Sequence, residues 1–234
     1  MVISGQTLPA ALSGTVLAVL AVMLAASVAV FSLLARQIAR KHQESVIRQW
    51  ARLHGGHLIE SPWRGEPPLP LKRLEAFHPR ASITIVGPNW ALAELTTDSP
   101  PEAQGNVPRW RIMAMQSDLL ESCPPTGLRP VSHAVSFVDL FSLSSFPSLS
   151  APEQFVLFGC EAAFASAFAS VFAELPARNL LRSDVGVLVC GRAIWLDFSS
   201  RLMSTEEFER MLQLGRQLLP AVEQMRLVQK SSQR

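Results

Sequence analysis

The sequence predicts an α+β fold behind a membrane anchor. An N-terminal transmembrane helix continues into a juxtamembrane helix, and an antiparallel sheet follows, covered by two helices from the C-terminal half. Three observations predict this. The stretch Ala10 to Ala35 carries no charge, and no Asp, Glu, Lys, Arg or His precedes Arg36. Beyond His57 the apolar residues fall largely into short alternating runs separated by Gly, Pro, Asn and Ser, which is the pattern of strands and turns. Helical apolar spacing returns in only two later segments, and no strand–helix–strand alternation appears that would build a parallel, Rossmann-like sheet.

The division of the chain follows. Residues 1–9 form a short extracytoplasmic N-terminus, 10–35 the transmembrane helix, 36–56 a basic juxtamembrane helix, 57–228 a cytoplasmic α+β domain and 229–234 a loose tail. At about 1.5 Å per residue the first helix reaches roughly 39 Å, enough to cross a hydrocarbon core of about 30 Å with some tilt. No basic side chain precedes it. Arg36, Arg40, Lys41, Arg48 and Arg52 follow it, against the single acid Glu44. Positive charge stays on the cytoplasmic side, so the N-terminus is expected outside and the C-terminal domain in the cytoplasm, on an inner (cytoplasmic) membrane. A cleaved secretory signal has its basic residues before a shorter apolar run. On that reading the mature chain would begin near Ala35, outside the cytoplasm. The same five basic residues sit where anionic lipid headgroups attract them.

The anchor has a face. Gly14, Ala18, Ala21, Ala25, Ala29 and Ser32 are spaced by four, three, four, four and three residues. At about 100° per residue they fall in one sector of the helix. Small residues let helix backbones approach closely, and such packing drives association within a bilayer. The expected partners are other transmembrane subunits, or a second copy of this chain. The helix holds no His and no acid, so it offers no side-chain ligand for a haem or a chlorophyll and no proton relay.

Past Arg36 the helical pattern continues through Ala39, Val46, Trp50 and Leu53, and Gly55-Gly56 stops it with a left-handed cap. His54 and His57 flank the glycines. No third ligand is spaced nearby, so a capping turn with two exposed histidines is the expectation rather than a metal site. His57 to Ser61 reads as a first strand, Pro62 to Pro70 as a loop, and Leu71 to Phe77 as a turn or two of helix. Ala81 to Thr97 reads as a hairpin turning at Gly87-Pro88-Asn89, with an exposed tip at 98–107 after it. Arg109 to Ser117 should pair back onto it. Leu119 to Pro130 is expected as a long loop and His133 to Phe141 as a strand. A serine-rich loop, Ser142 to Ser150, and a strand, Glu153 to Gly159, follow. Glu161 to Glu174 reads as a helix with Phe164, Phe168 and Phe172 on its core side. Asp184 to Cys190 and Ala193 to Phe198 form a second hairpin across Gly191-Arg192. Ser204 caps the last helix, with early acids after it, and Phe208, Met211, Leu212, Gly215, Leu218 and Leu219 line its inner side.

The chemistry that would mark an enzyme is missing from the sequence. No phosphate-binding glycine loop, nucleophile elbow or zinc-binding His-Glu-x-x-His occurs. No cofactor is expected. Asp118, Asp139, Asp184 and Asp197 lie at turns or strand ends without a recurring partner, although a triad can assemble in space from distant residues. Cys123, Cys160 and Cys190 are odd in number and far apart, which argues for isolated thiols rather than a disulfide framework. The net charge of +2 and the absence of basic motifs interleaved with aromatics argue against nucleic acid. The five tryptophans, with no tyrosine, are either core or contact anchors.

The anchor, the helix ending WARLHGG (Trp50 to Gly56), and FPSLSAPEQFVLFG (Phe146 to Gly159) running into a Phe-rich helix and a terminal hairpin carry a resemblance. The chain resembles uncharacterised single-pass bacterial membrane proteins with a cytoplasmic α+β domain. The resemblance implies that architecture and a bacterial source, and no catalytic activity. The functional expectation is a non-enzymatic accessory or scaffold subunit of a larger inner-membrane complex, of respiratory or photosynthetic type. The alternatives are a homo-oligomeric membrane-anchored sensor or lipid-surface module, and an enzyme whose site assembles only in space.

Overall fold

A computed structural model describes residues 10–59, 67–97, 109–121, 123–133, 136–141, 148–149, 154–175 and 184–232. The N-terminal segment 1–9, Trp63 with most of the proline-rich stretch, the hairpin tip at 98–107 and Phe146 with most of the serine-rich stretch lie outside those residues. The chain forms two compact units, Met1–Val46 and Ile47–Arg234.

The first unit consists of helix α1, Ala10–Leu53, up to Val46. Every side chain from Val16 to Val46 is exposed. The helix is long and apolar enough to cross a membrane, with a mean hydropathy of 2.7 over its most apolar 18-residue window. Its end belongs to the second unit and is closed as the glycine pair predicts. Gly55 sits at φ +72°. The Gly56 N–H donates to the Ala51 carbonyl at 2.7 Å and the Gly55 N–H to the Arg52 carbonyl at 3.1 Å. These two bonds satisfy carbonyls that the last turn would otherwise leave open.

Among the described residues, the second unit is built on one sheet of nine strands, all neighbouring pairs antiparallel. In chain order the strands are β1 (His57–Ile59), β2 (Arg80–Val86), β3 (Trp90–Thr96), β4 (Arg109–Gln116), β5 (Thr126–Pro130), β6 (Ser148–Leu149), β7 (Phe155–Gly159), β8 (Gly186–Cys190) and β9 (Ala193–Asp197). Their order across the sheet is β1-β2-β3-β4-β9-β8-β5-β7-β6. Both expected hairpins are present, and β4 pairs back on β3 with Trp90 opposite Met115 and Thr96 opposite Arg109. This is the α+β architecture that the strand pattern predicts.

Side chains alternate between the two faces of the sheet. Leu92, Met113, Met115, Val187, Val189, Ile194 and Leu196 point to one face. There they meet helix α2 (Ala162–Glu174), helix α3 (Thr205–Ser232) and the last two turns of α1 through Ile47, Trp50 and Ala51. Phe164, Phe168 and Phe172 are fully or almost fully buried in this layer, as their four-residue spacing predicts. The other face carries small residues, Ala81, Ala91, Ala93, Ala114 and Ala193, beside Trp110 and Trp195. Two 3-10 segments, Leu69–Phe77 and Phe137–Phe141, close over it. The alanines leave depth for an aromatic cluster. Phe137 lies 5.4 Å from Phe141 and 5.7 Å from Trp195, and Phe77 lies 5.5 Å from Phe141, at angles that avoid stacking face to face.

Three expectations are corrected. The loop expected over 119–130 contains the 3-10 turn Asp118–Leu120 and then β5, an interior strand. Gly127 and Pro130 argue locally against a strand, but β5 fills the gap between β7 and β8 and satisfies the ladder groups of both. Its pairing with β8 stops at Leu128, so Pro130 sits beyond the last bond that it could not donate. The strand expected over 133–141 is instead the 3-10 segment Phe137–Phe141. Side chains satisfy its opening N–H groups: Asp197 Oδ2 accepts from Phe137 N–H at 2.9 Å and Asp139 Oδ2 from Ser136 N–H at 2.9 Å. With those donors occupied, the segment turns its aromatic rings inward and needs no ladder. The tail expected from 229 is helical to Ser232, as a continuation of α3.

Candidate functional site

The small residues of α1 lie within one continuous helix. Those from Ala18 to Ser32 are exposed, as are the larger residues around them, Val16, Val19, Met23 and Val30 among them. Backbone geometry alone therefore defines the face formed by Gly14, Ala18, Ala21, Ala25, Ala29 and Ser32. Ser27, off that face, returns its hydroxyl to the Met23 carbonyl at 2.8 Å and so stays satisfied without water. Arg36, Arg40, Lys41, Arg48 and Arg52 are all exposed. Arg40 pairs with Glu44 at 3.1 Å, a surface pair one helical turn long.

The histidine pair is split by the fold. His57 is exposed on the edge strand β1. His54 is not, and the expected turn with two exposed histidines is corrected: its ring packs at a tilt against Trp50, centroids 4.6 Å apart, and its Nε2 lies 2.9 Å from Glu209 Oε2 on α3. Trp50 Nε1 donates to the same oxygen at 3.3 Å. A side chain that looked like a metal candidate thus fastens the end of α1 to α3. Among the described residues no group of three or more His, Cys, Asp or Glu is arranged to hold a metal.

The aspartates singled out from the sequence are bonded, each in a different place. Asp139 meets Arg129 at 3.2 Å. Asp197 is buried and accepts from Ser136 Oγ at 3.0 Å, from Phe137 N–H and from Ser199. Asp118 shares Arg192 with Glu121. Asp184 accepts three hydrogen bonds from the guanidinium of Arg201, whose side chain also reaches Glu207 at 2.8 Å. Burial pushes the Asp184 carboxyl up, but the hydrogen bonds and charge of Arg201, with help from Ser200, outweigh it and hold the group below its ordinary value. Burial pulls Arg201 down, and Asp184 and Glu207 more than restore it. Ser204 Oγ caps α3 through the Glu207 N–H at 3.3 Å. These groups tie β9, α3 and the loop between them together.

A pocket of about 260 Å³ lies at the β8–β9 turn. Lys72 and Arg73, on the first 3-10 segment, line it together with Gln116, Glu121, Cys190, Gly191 and Arg192. Gly191 takes the first of the two turn positions at φ +67°, the place where a tight hairpin of this kind needs glycine. A Cβ there would collide with Arg73 Nε, so the guanidinium rests directly on the turn. Arg73 Nη1 donates to Cys190 Sγ at 3.3 Å. Burial pushes the Cys190 thiol up, and the charge and hydrogen bond of Arg73 offset only part of that. Gly191-Arg192 had no signal in the sequence beyond a turn, and Lys72-Arg73 none beyond a helical segment; only the fold of the 3-10 segment over the sheet joins them.

Cys123 and Cys190 are buried free thiols and Cys160 is an exposed one. Trp50, Trp90, Trp110 and Trp195 are core residues, each at most 7% exposed. A second depression, about 480 Å³ between α2 and α3, is lined mainly by apolar side chains such as Val171, Leu175 and Met225. No protein-family model, curated protein or solved structure matches this chain.

Proposed function

We propose that the chain is a non-enzymatic, single-pass accessory subunit of a larger inner-membrane complex, docking laterally through its N-terminal helix and covering a partner with its domain. The observation that carries the reading is the face of α1. Glycine, alanine and serine hold one side of an unbroken helix whose described side chains are exposed from Val16 to Val46. A bilayer supplies no hydrophobic drive between helices, so close backbone approach along such a side is what association there uses. The basic residues after the span favour a cytoplasmic domain and a surface rich in anionic lipid. The bonding of the domain's carboxylates also supports a structural role. Glu94, Asp139, Asp184, Asp197, Glu207 and Glu209 are each engaged by a donor from another part of the unit. A bacterial source and a respiratory or photosynthetic host belong to the same proposal.

Blue-native electrophoresis of mild-detergent extracts from the native membrane tests it. The expected result is a species far above monomer mass that contains foreign chains. Migration at monomer mass, under conditions that preserve other complexes, overturns it. A large species made only of this chain would replace it with self-association through the same face.

A further inference from the structure

The geometry points to a second site: the pocket at the β8–β9 turn binds a small oxyanion, a phosphate or carboxylate group on a free small molecule, with Arg73 as the principal ligand. It stands apart from the membrane-docking reading and does not depend on it.

Charge is the first ground. Lys72, Arg73 and Arg192 line the pocket, and among its described lining residues the only acid is Glu121. Arg192 already spends its guanidinium on that acid, at 2.6 Å, and on Asp118 at 3.4 Å. Glu121 is therefore met within the lining, and Arg73 sets the sign of what remains. Cys190 adds no negative charge near neutral pH, because burial favours its protonated form.

Donor capacity is the second ground. A guanidinium carries five N–H donors in a planar fork that matches two oxygens of a carboxylate or phosphate. Among the described residues the hydrogen-bond acceptor of Arg73 is the Cys190 sulfur, a weak one, and no carboxylate pairs with it. The contrast with Arg111, Arg129 and Arg201 is direct, since each of those meets a carboxylate. The third ground is placement. The guanidinium rests on the bare backbone of Gly191 and leans on Cys190, so it is held at the pocket rather than left to swing through solvent. A volume of about 260 Å³ suits a compact metabolite or a single anionic group, smaller than a dinucleotide would need.

Isothermal titration of the full chain in detergent micelles, with inorganic phosphate and with acetate as separate probes, tests the site. The expected result is saturable binding of at least one probe, weakened about tenfold or more in Arg73→Gln. Arg216→Gln, at an exposed position on α3, should leave it unchanged. Arg73→Lys should weaken binding less than Arg73→Gln, since it keeps the charge and loses the fork. Arg73 is exposed, so its variants should melt with the wild type and report on binding alone. Equal binding by wild type and Arg73→Gln overturns the site, and so does the absence of saturable binding of both probes in the millimolar range. Loss of binding in Arg216→Gln as well would mark a general charge effect and also overturn it.

Discussion

Arg201 lays its guanidinium on Asp184, with Nη2 at 2.6 Å from Oδ1 and Nε at 3.1 Å from Oδ2, and its side chain is 7% exposed. The loop after β9 and the segment before β8 are thereby joined by a nearly buried charge. Removing one member of such a pair leaves the other with weaker compensation. Arg201→Ala is expected to cost up to about 3 kcal/mol, because Asp184 and Glu207 lose their shared donor while Ser200 still donates to the one and Arg210 to the other. Asp184→Asn should cost less, since Glu207 remains to compensate the guanidinium. Urea unfolding of both variants measures the order, and an Arg201→Ala protein as stable as wild type would refute the pairing.

The same pair sets an acid limit. The folded value of Asp184 lies below its ordinary value, so the folded state favours the ionised form. The stability it contributes is fully present above about pH 4, where the unfolded carboxyl is also ionised, and is lost as the pH falls through the lower folded value. Unfolding curves taken from about pH 5 to pH 2 should show this loss, and Asp184→Asn should make the curve shallower. An unchanged slope in the variant would assign the acid sensitivity elsewhere.

The end of α1 is part of the domain's core rather than a handle for it. Ile47, Trp50 and Ala51 are buried, and Trp50 meets Trp90 at 5.7 Å and Phe208 at 5.3 Å. Trp50→Ala should destabilise the domain by about 3–5 kcal/mol. A chain beginning at Ser45 is expected to fold, and one beginning at His57 to fold poorly or aggregate. Circular dichroism melts of the two fragments decide this.

The three thiols should separate by rate. Cys160 is exposed and should react with a maleimide quickly at neutral pH, while Cys123 and Cys190 should react slowly in the native state. Burial places Cys190 above its ordinary range, with Arg73 only partly opposing, so its labelling should accelerate at a higher pH than that of an unfolded control. Stability from its protonated form is present below the unfolded value, about 8.5, and is lost as the pH rises through the folded one. Mass-spectrometric labelling against pH measures both. Equal rates at Cys160 and Cys190 would contradict the packing described.

For α1, Ala21→Leu with Ala25→Leu fills the small-residue face without changing hydrophobicity for the worse. Lateral docking through that face predicts loss of the high-mass species on blue-native electrophoresis, with the domain's melting temperature unchanged. Val19→Leu, off the face, should have no effect. A double variant that assembles like wild type would remove the face from the interaction.

Much of the fold was legible wherever a local rule had no rival. The charge-free run defined α1, the glycine pair its end, the phenylalanine repeat α2, and Gly87 and Gly191 the two hairpin turns. Reading failed where local chemistry and tertiary context disagreed. Thr126 to Pro130 looks like a turn and is an interior strand, because two neighbouring strands needed a partner. Phe137 to Phe141 looks like a strand and is a 3-10 segment, because Asp139 and Asp197 took its opening donors. The Arg73 pocket was invisible for the same reason: its walls come from segments more than forty residues apart in the chain, and nothing in the spacing of Lys72, Arg73, Cys190 and Arg192 relates them.

By itself, then, the sequence determined the apolar span, the side on which its small residues fall, the charge that follows it, and the period-two runs that must become a sheet. These are properties of neighbours along a helix or a strand, and they follow from 3.6-residue and two-residue periodicity. Only the tertiary structure decided that β9 would pair with β4 and β5 with β8, and that the second face of the sheet would be closed by 3-10 segments. It also decided that His54 would bond Glu209 and that Arg73 would line a pocket in which no described carboxylate pairs with it. Those outcomes depend on which distant groups remain unsatisfied once the local elements have formed, and a buried polar group must find its partner wherever the chain brings one.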